Sequence, residues 1–257
     1  MKKKIWQGIL GVAIVLGLWT LASKTGMFGR MSAQNAQLLL PLPSAVGKEL
    51  INVLSSGYLL TNVWVSMQRV LIGFLLAVAI GLPIGILIGL SEDARNIVYP
   101  IIRFISPIPG VAWVPLAILW FGLGNQSAIF IIVMGSLSPI ITNTYQGVLN
   151  VDRKLYQVLD IMEAGWDKKI LYCVIPGILP YVMAGFRLGL GFAWRVVIAA
   201  ELVGVPRGMG YVLSMGRSTG NTAMTLIVII TLGVVMILME EVLFRFLESR
   251  LSRWKKA

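Results

Sequence analysis

Apolar residues along this chain come in long runs rather than in alternation. The stretch from Leu71 to Leu90 is apolar on every face, and runs like it, near the roughly 20 residues that cross a hydrocarbon core as a helix, recur between short polar segments. Strands of an outer-membrane barrel would instead alternate over about ten residues. The pattern therefore predicts an all-α fold, a polytopic membrane helical bundle of about six transmembrane helices. The spans fall at Ile5 to Ala22, Val63 to Leu90, Ile101 to Phe121, Ser127 to Leu149, Ile178 to Leu202 and Ala223 to Met239. Pro107, Pro109, Gly110 and Pro115 predict that the third is kinked or broken, because proline removes a backbone donor and clashes with the preceding turn.

The segments between spans set the topology. Lys2, Lys3 and Lys4 precede the first run, which reads as a retained helix; a cleaved signal peptide is the alternative, but the run is long and lacks an Ala-x-Ala site. Lys24 to Thr61 is too polar to span and carries the amphipathic stretch Val46 to Leu54, expected at the interface. Ser91 to Arg95 closes the second span on the inner side. Asn150 to Leu171 is charged, with a helical pattern interrupted at Gly165, and its basic residues place it in the cytoplasm. Val203 to Asn221 reads as an outer loop. After Glu240 the last helix is expected to continue inward, with Leu243, Phe246, Leu247 and Leu251 at helical spacing among Arg245, Arg250, Arg253, Lys255 and Lys256. Both termini are then cytoplasmic.

Composition agrees: 57% of the 257 residues are hydrophobic, 13% are charged, and the mean hydropathy is +0.84. A net charge of +11 in a soluble protein would suggest nucleic acid; here positive-inside orientation and anionic lipid headgroups account for it, and no nucleic-acid partner is expected. Cys173 is the single cysteine and histidine is absent, which excludes an intrachain disulfide and argues against a metal site or any other cofactor. No G-x-x-x-x-G-K-[ST] loop and no histidine-based triad occurs, so an enzyme is not expected. Nor does a carboxylate sit at mid-span to bind a coupling ion, so uphill transport by this chain needs an outside motor.

Arg187 falls half-way along its span, where an unpaired charge costs several kcal/mol; it either clamps helix-end carbonyls or Glu201, or lines a polar path. Arg69 and Arg195 are nearer the outer interface, where snorkelling suffices. Gly185 and Gly189 have the small-xxx-small spacing of close helix packing.

Several segments resemble the inner-membrane permease subunits of bacterial ABC importers, in the nitrate, sulfonate, taurine and bicarbonate branch. They are Leu42 to Ala45, Ser66 to Phe74, Pro107-Ile108-Pro109 leading to Pro115 through Gly122, Ile175 to Pro180, and Gly185 to Trp194 ending in Ala200-Glu201-Leu202. The resemblance covers most of the chain. It implies a single permease domain over residues 1–257, with its core at 60–250, and the type I ABC importer permease fold in the bacterial inner membrane. It also implies three protein partners: cytoplasmic ATPase subunits, an extracytoplasmic solute-binding protein and a second permease copy, most simply as a homodimer. The loop at 150–171 would be the ATPase-coupling loop, through Gln157, Asp160, Glu163, Ala164, Gly165, Asp167 and Lys168. It departs from the family pattern: Gln157-Val158-Leu159 stands where Glu-Ala-Ala is usual, and Glu163 stands where a glycine is expected. Arg187, Ser138, Trp194, Glu201 and Arg69 are the candidates for the translocation path. The function implied is ATP-driven import of a small, in several relatives anionic, solute. The alternatives are a stand-alone carrier or channel, or a membrane anchor, which Arg187 and the broken third span disfavour.

Overall fold

The computed structural model describes residues 2–25 and 37–251, and all regular structure among them is helical. The expected inner-tail charges Arg253, Lys255 and Lys256 lie outside these residues, as do the side chains of Lys2 to Lys4, Arg245 and Arg250. The elements are α1 (Lys2–Thr25), α2 (Pro43–Ser55), α3 (Tyr58–Leu90), α4 (Glu92–Ile105), a 3-10 turn (Gly110–Trp113), α5 (Val114–Phe121), α6 (Asn125–Leu149), α7 (Arg153–Ile161), α8 (Trp166–Lys169), a π turn (Ile170–Val174), α9 (Ile175–Leu202), α10 (Met209–Ser218) and α11 (Thr222–Leu251).

Among the described residues five stretches are long and apolar enough to cross a membrane, and α4 with α5 makes a sixth if the bent pair counts as one span. The bend is 91°. Pro107 and Pro109 cause it: neither can donate to the helix ladder, and Pro109 adopts the extended φ −58°, ψ 137°. Two expected boundaries change. The fifth span reaches back to Trp166, because α8, the π turn and α9 run on without a break, so the end of the supposed loop at 150–171 is already helix. The supposed outer loop holds α10, whose Met209, Val212 and Gly216 are buried at i, i+3 and i+7 despite a glycine content that disfavours helix.

The chain forms two compact units. The first comprises Met1–Val65 and Arg207–Val234. Here α1 exposes nearly all its apolar side chains, and its end is tied to the following chain by Trp19 Nε1 donating to the Pro41 carbonyl (3.0 Å) and Ser23 Oγ to that of Leu40 (2.7 Å). Val46 and Val53 bury one face of α2, as its amphipathic pattern predicts. The amide of Gly208 donates to Asn62 Oδ1 at 2.8 Å, fixing the start of α10.

The second unit, Ser66–Pro206 with Val235–Ala257, centres on α6. Along α3 a row of small residues, Gly73, Ala77, Gly81, Gly85 and Gly89, recurs every fourth position, and the glycines lie against Ile132, Ile140, Thr144 and Val148 of α6. A β-carbon at Gly85 would sit 2.6 Å from the Thr144 β-carbon, so only glycine allows this approach. α6 also receives α9 through Gly185 and Gly189, whose packing role the spacing predicted.

Candidate functional site

Three groups of residues in the second unit carry chemistry. The first is a buried polar knot. Arg69 on α3 donates from Nη1 to Glu201 Oε1 at 2.5 Å and from Nε to Asn125 Oδ1 at 2.8 Å, while Ser66 Oγ lies 2.8 Å from both Glu201 oxygens. Arg69 is 5% exposed and Glu201 1%. Snorkelling therefore does not describe Arg69; its guanidinium turns inward because a buried carboxylate waits for it. The proposed clamp of Arg187 on Glu201 is corrected likewise. The two residues are fourteen positions apart on one helix, about 21 Å along its axis. Arg187 instead faces Glu240 of α11 (Nε to Oε1, 3.3 Å) and stacks over the Phe244 ring at 4.9 Å. Trp194 is buried within α9's packing face.

The second group is a cavity of about 410 Å3 at the break between α4 and α5. Its walls are the broken segment itself, from Ile105 to Gly110, the middle of α6, and a stripe on α9 made by Leu188, Phe192 and Val196. Its polar groups are the hydroxyls of Ser106 and Ser138, 2.6 Å apart, with Thr142 and Asn143. No charged side chain forms its wall. Of the five residues expected along a path, Ser138 alone lines it; Arg69, Arg187, Trp194 and Glu201 do not.

The third group is the segment after α6. Asp152 caps α7 by accepting from the Lys154 amide (2.9 Å), and Tyr156 and Leu159 lay one face of α7 on a cluster of Val148, Val151, Cys173, Val174 and Ile178 at the ends of α6 and α9. Burial pushes the Tyr156 hydroxyl pKa up, with a smaller contribution from Cys173. The helix ends in a Schellman arrangement: the Ala164 amide bonds the Leu159 carbonyl (2.9 Å) and the Glu163 amide that of Asp160 (3.0 Å). That motif requires a left-handed residue after the cap. Glu163 supplies it with φ +50°, which accounts for the glycine that the family pattern expects there. Gly165 has an ordinary φ and stands directly before α8, where Asp167 lies close. Lys169 ties the turn together, pairing with Asp160 (2.5 Å) and lying over the Trp166 ring. Gln157, Glu163, Gly165, Asp167 and Lys168 are exposed, and Ala164 is half-buried.

Leu155, Val158, Ile161, Met162 and Trp166 are all exposed, Ile161 at 83% and Met162 at 70%, although Tyr156 and Leu159 already satisfy the core. Charge counting hid them, yet Leu155, Val158 and Met162 at i, i+3 and i+7 form a second apolar stripe that the spacing alone reveals.

The family model for the binding-protein-dependent transport system inner membrane component matches residues 81–253, a stretch holding the cavity, α7 and α9. The chain belongs to that family. The permease is 33% identical over 251 residues to the putative aliphatic sulfonates transport permease protein SsuC of Bacillus subtilis, covering 98% of this chain and 88% of that one. It is 30% identical over 258 residues to the taurine transport system permease protein TauC of Escherichia coli, with 97% and 93% covered. Among solved structures, an inward-facing MetNI methionine ABC transporter superposes with a TM-score of 0.63 at 20% identity, covering 74% of this chain and 95% of that one. The permease thus has the type I importer fold and is a multi-pass membrane component of an ABC transport system.

Proposed function

We propose that this permease forms half of the translocation path of an ATP-driven importer in the bacterial inner membrane, as a homodimer with both termini in the cytoplasm, and that the segment 150–171 receives a cytoplasmic ATPase subunit. The observation that carries this is α7. One face is docked on the ends of α6 and α9, and the adjoining face presents an unburied apolar stripe flanked by Gln157, Glu163, Asp167 and Lys168. A helix so placed passes a push from outside directly into the two helices that wall the cavity. Solute arrives from an extracytoplasmic binding protein, and by similarity to the sulfonate and taurine permeases it is a small anion or zwitterion. Ser138 lies on its route; Arg69, Glu201 and Trp194 hold the surrounding helices, and Arg187 with Glu240 ties α9 to α11. The exposed apolar faces of α1 and α11 meet lipid, and the whole chain acts as one permease domain.

The test is co-expression with an ATPase subunit and the binding protein, followed by co-purification and ATP-dependent uptake in proteoliposomes. Binding of the ATPase, and its loss on replacing Glu163, Gly165 or Asp167 with bulky or opposite-charge residues, is the expected result. Solute movement by the purified chain alone, without ATP, overturns the proposal, as does labelling of an Ile161→Cys variant by an impermeant reagent added outside intact cells.

A further inference from the structure

The cavity wall is neutral, but a charge stands at its edge. Arg195 lies one position before Val196 and three after Phe192, both wall residues, and its guanidinium carbon is 5.8 Å from the centroid of the Phe192 ring. It is exposed, and among the described residues no carboxylate is paired with it. On α3 and α9 the other arginines are neutralised, Arg69 by Glu201 and Arg187 by Glu240, whereas Arg103 of α4, three positions before Ser106, is like Arg195 exposed and paired with no carboxylate among the described residues. An unneutralised guanidinium on an apolar span is costly unless an anion or water meets it, and stacking on an aromatic ring leaves its N–H edge free to donate. Beside it the cavity offers the hydroxyls of Ser106, Ser138 and Thr142, short neutral groups that hydrogen-bond oxyanion oxygens without trapping a charge. Glu240 of α11 pairs with Arg187, eight positions before Arg195 on α9.

We propose that the cavity at the α4–α5 break is a station for a small organic oxyanion, its charged end held by Arg195 and its remaining polar atoms by Ser106, Ser138 and Thr142. The volume of about 410 Å3 fits a solute of sulfonate size and leaves room for water. The station rests on the importer reading above, but it is tested without it.

In a Cys173→Ala background, Ser138→Cys and, separately, Thr142→Cys place a thiol in the wall. Membranes holding the full chain with its ATPase are treated with the anionic sulfonatoethyl methanethiosulfonate or its cationic trimethylammonioethyl analogue. The anionic reagent is expected to react about tenfold faster, relative to each reagent's rate on free thiol, because a cleft of one sign concentrates the opposite charge. Arg195→Gln should abolish the preference, Arg195→Lys should keep most of it, and Arg187→Gln should leave it. Equal rates with Arg195 intact, as expected if a lipid phosphate or the second copy occupies the guanidinium, overturn the station. So does a preference that survives Arg195→Gln, or thiols that neither reagent reaches. A chain that binds no ATPase yet keeps an Arg195-dependent preference sinks the importer reading alone; ATP-driven uptake without the preference sinks the station alone.

Discussion

Arg69 and Glu201, 132 positions apart, form an ion pair that both side chains bury almost completely, with Ser66 and Asn125 completing its hydrogen bonds. Removing one member of such a pair strands the other charge, a loss of about 3–5 kcal/mol, whereas replacing both with apolar residues is often close to neutral. Arg69→Met and Glu201→Leu alone should each sharply lower the melting temperature of the detergent-purified permease, and the double variant should recover at least half of either loss. Additive losses in that double-mutant cycle would show that the two residues contribute independently rather than as a pair.

The left-handed conformation at Glu163 is one that side-chain-bearing residues adopt at a penalty of about 1–2 kcal/mol, and glycine avoids it. Glu163→Gly should therefore tighten the end of α7, slowing amide exchange from Asp160 to Ala164 several-fold, while the β-branched Glu163→Val should speed it. The reverse order would mean that the side chain, not the backbone, governs this turn.

Spans were legible because a helix that must satisfy its own backbone in lipid needs a long apolar run, and the chain has such runs. The break was legible through Pro107 and Pro109, and the interruption of the charged segment's helix through Gly165, although the left-handed residue that ends α7 is Glu163. The knot was not, since no local pattern links Ser66 and Arg69 to Glu201; each looked like an interfacial charge or a helix end. The glycine row on α3 was hidden in a run apolar on all sides, where period four stands out only once α6 is laid against it. In α10 tertiary burial of Met209 and Val212 overrode weak helix propensity.

The glycine row makes its own prediction. At Gly85 an added β-carbon meets the Thr144 β-carbon at 2.6 Å and the Ile141 carbonyl at 2.9 Å, and the carbonyl cannot swing away. Gly85→Ala should destabilise by about 1–3 kcal/mol through forced separation of α3 and α6. At Gly233 nothing lies within 4 Å, so Gly233→Ala in the same assay should be stabilising by about 0.5–1 kcal/mol through reduced chain entropy. Thermal unfolding of both variants in one detergent reads the contrast; equal effects would remove the case for a close helix crossing.

The outer stripe of α7 yields the sharpest separation of folding from partnership. Ile161 and Met162 are largely solvent-exposed in the isolated chain, so a charge there meets water and should shift its stability by less than about 0.5 kcal/mol. Against an ATPase surface the same charge would be buried without a partner, at a cost of several kcal/mol, enough to lower affinity a hundredfold or more. Ile161→Glu and Met162→Glu should thus leave melting and membrane insertion of the permease unchanged while abolishing co-purification with the ATPase and ATP-dependent uptake. Tyr156→Ala, on the docked face, should act the other way round, lowering the permease's own melting temperature because it opens a void against Val151 and Cys173. If Ile161→Glu and Tyr156→Ala behave alike in both assays, α7 is an ordinary surface helix and the grip of an external motor must be sought elsewhere.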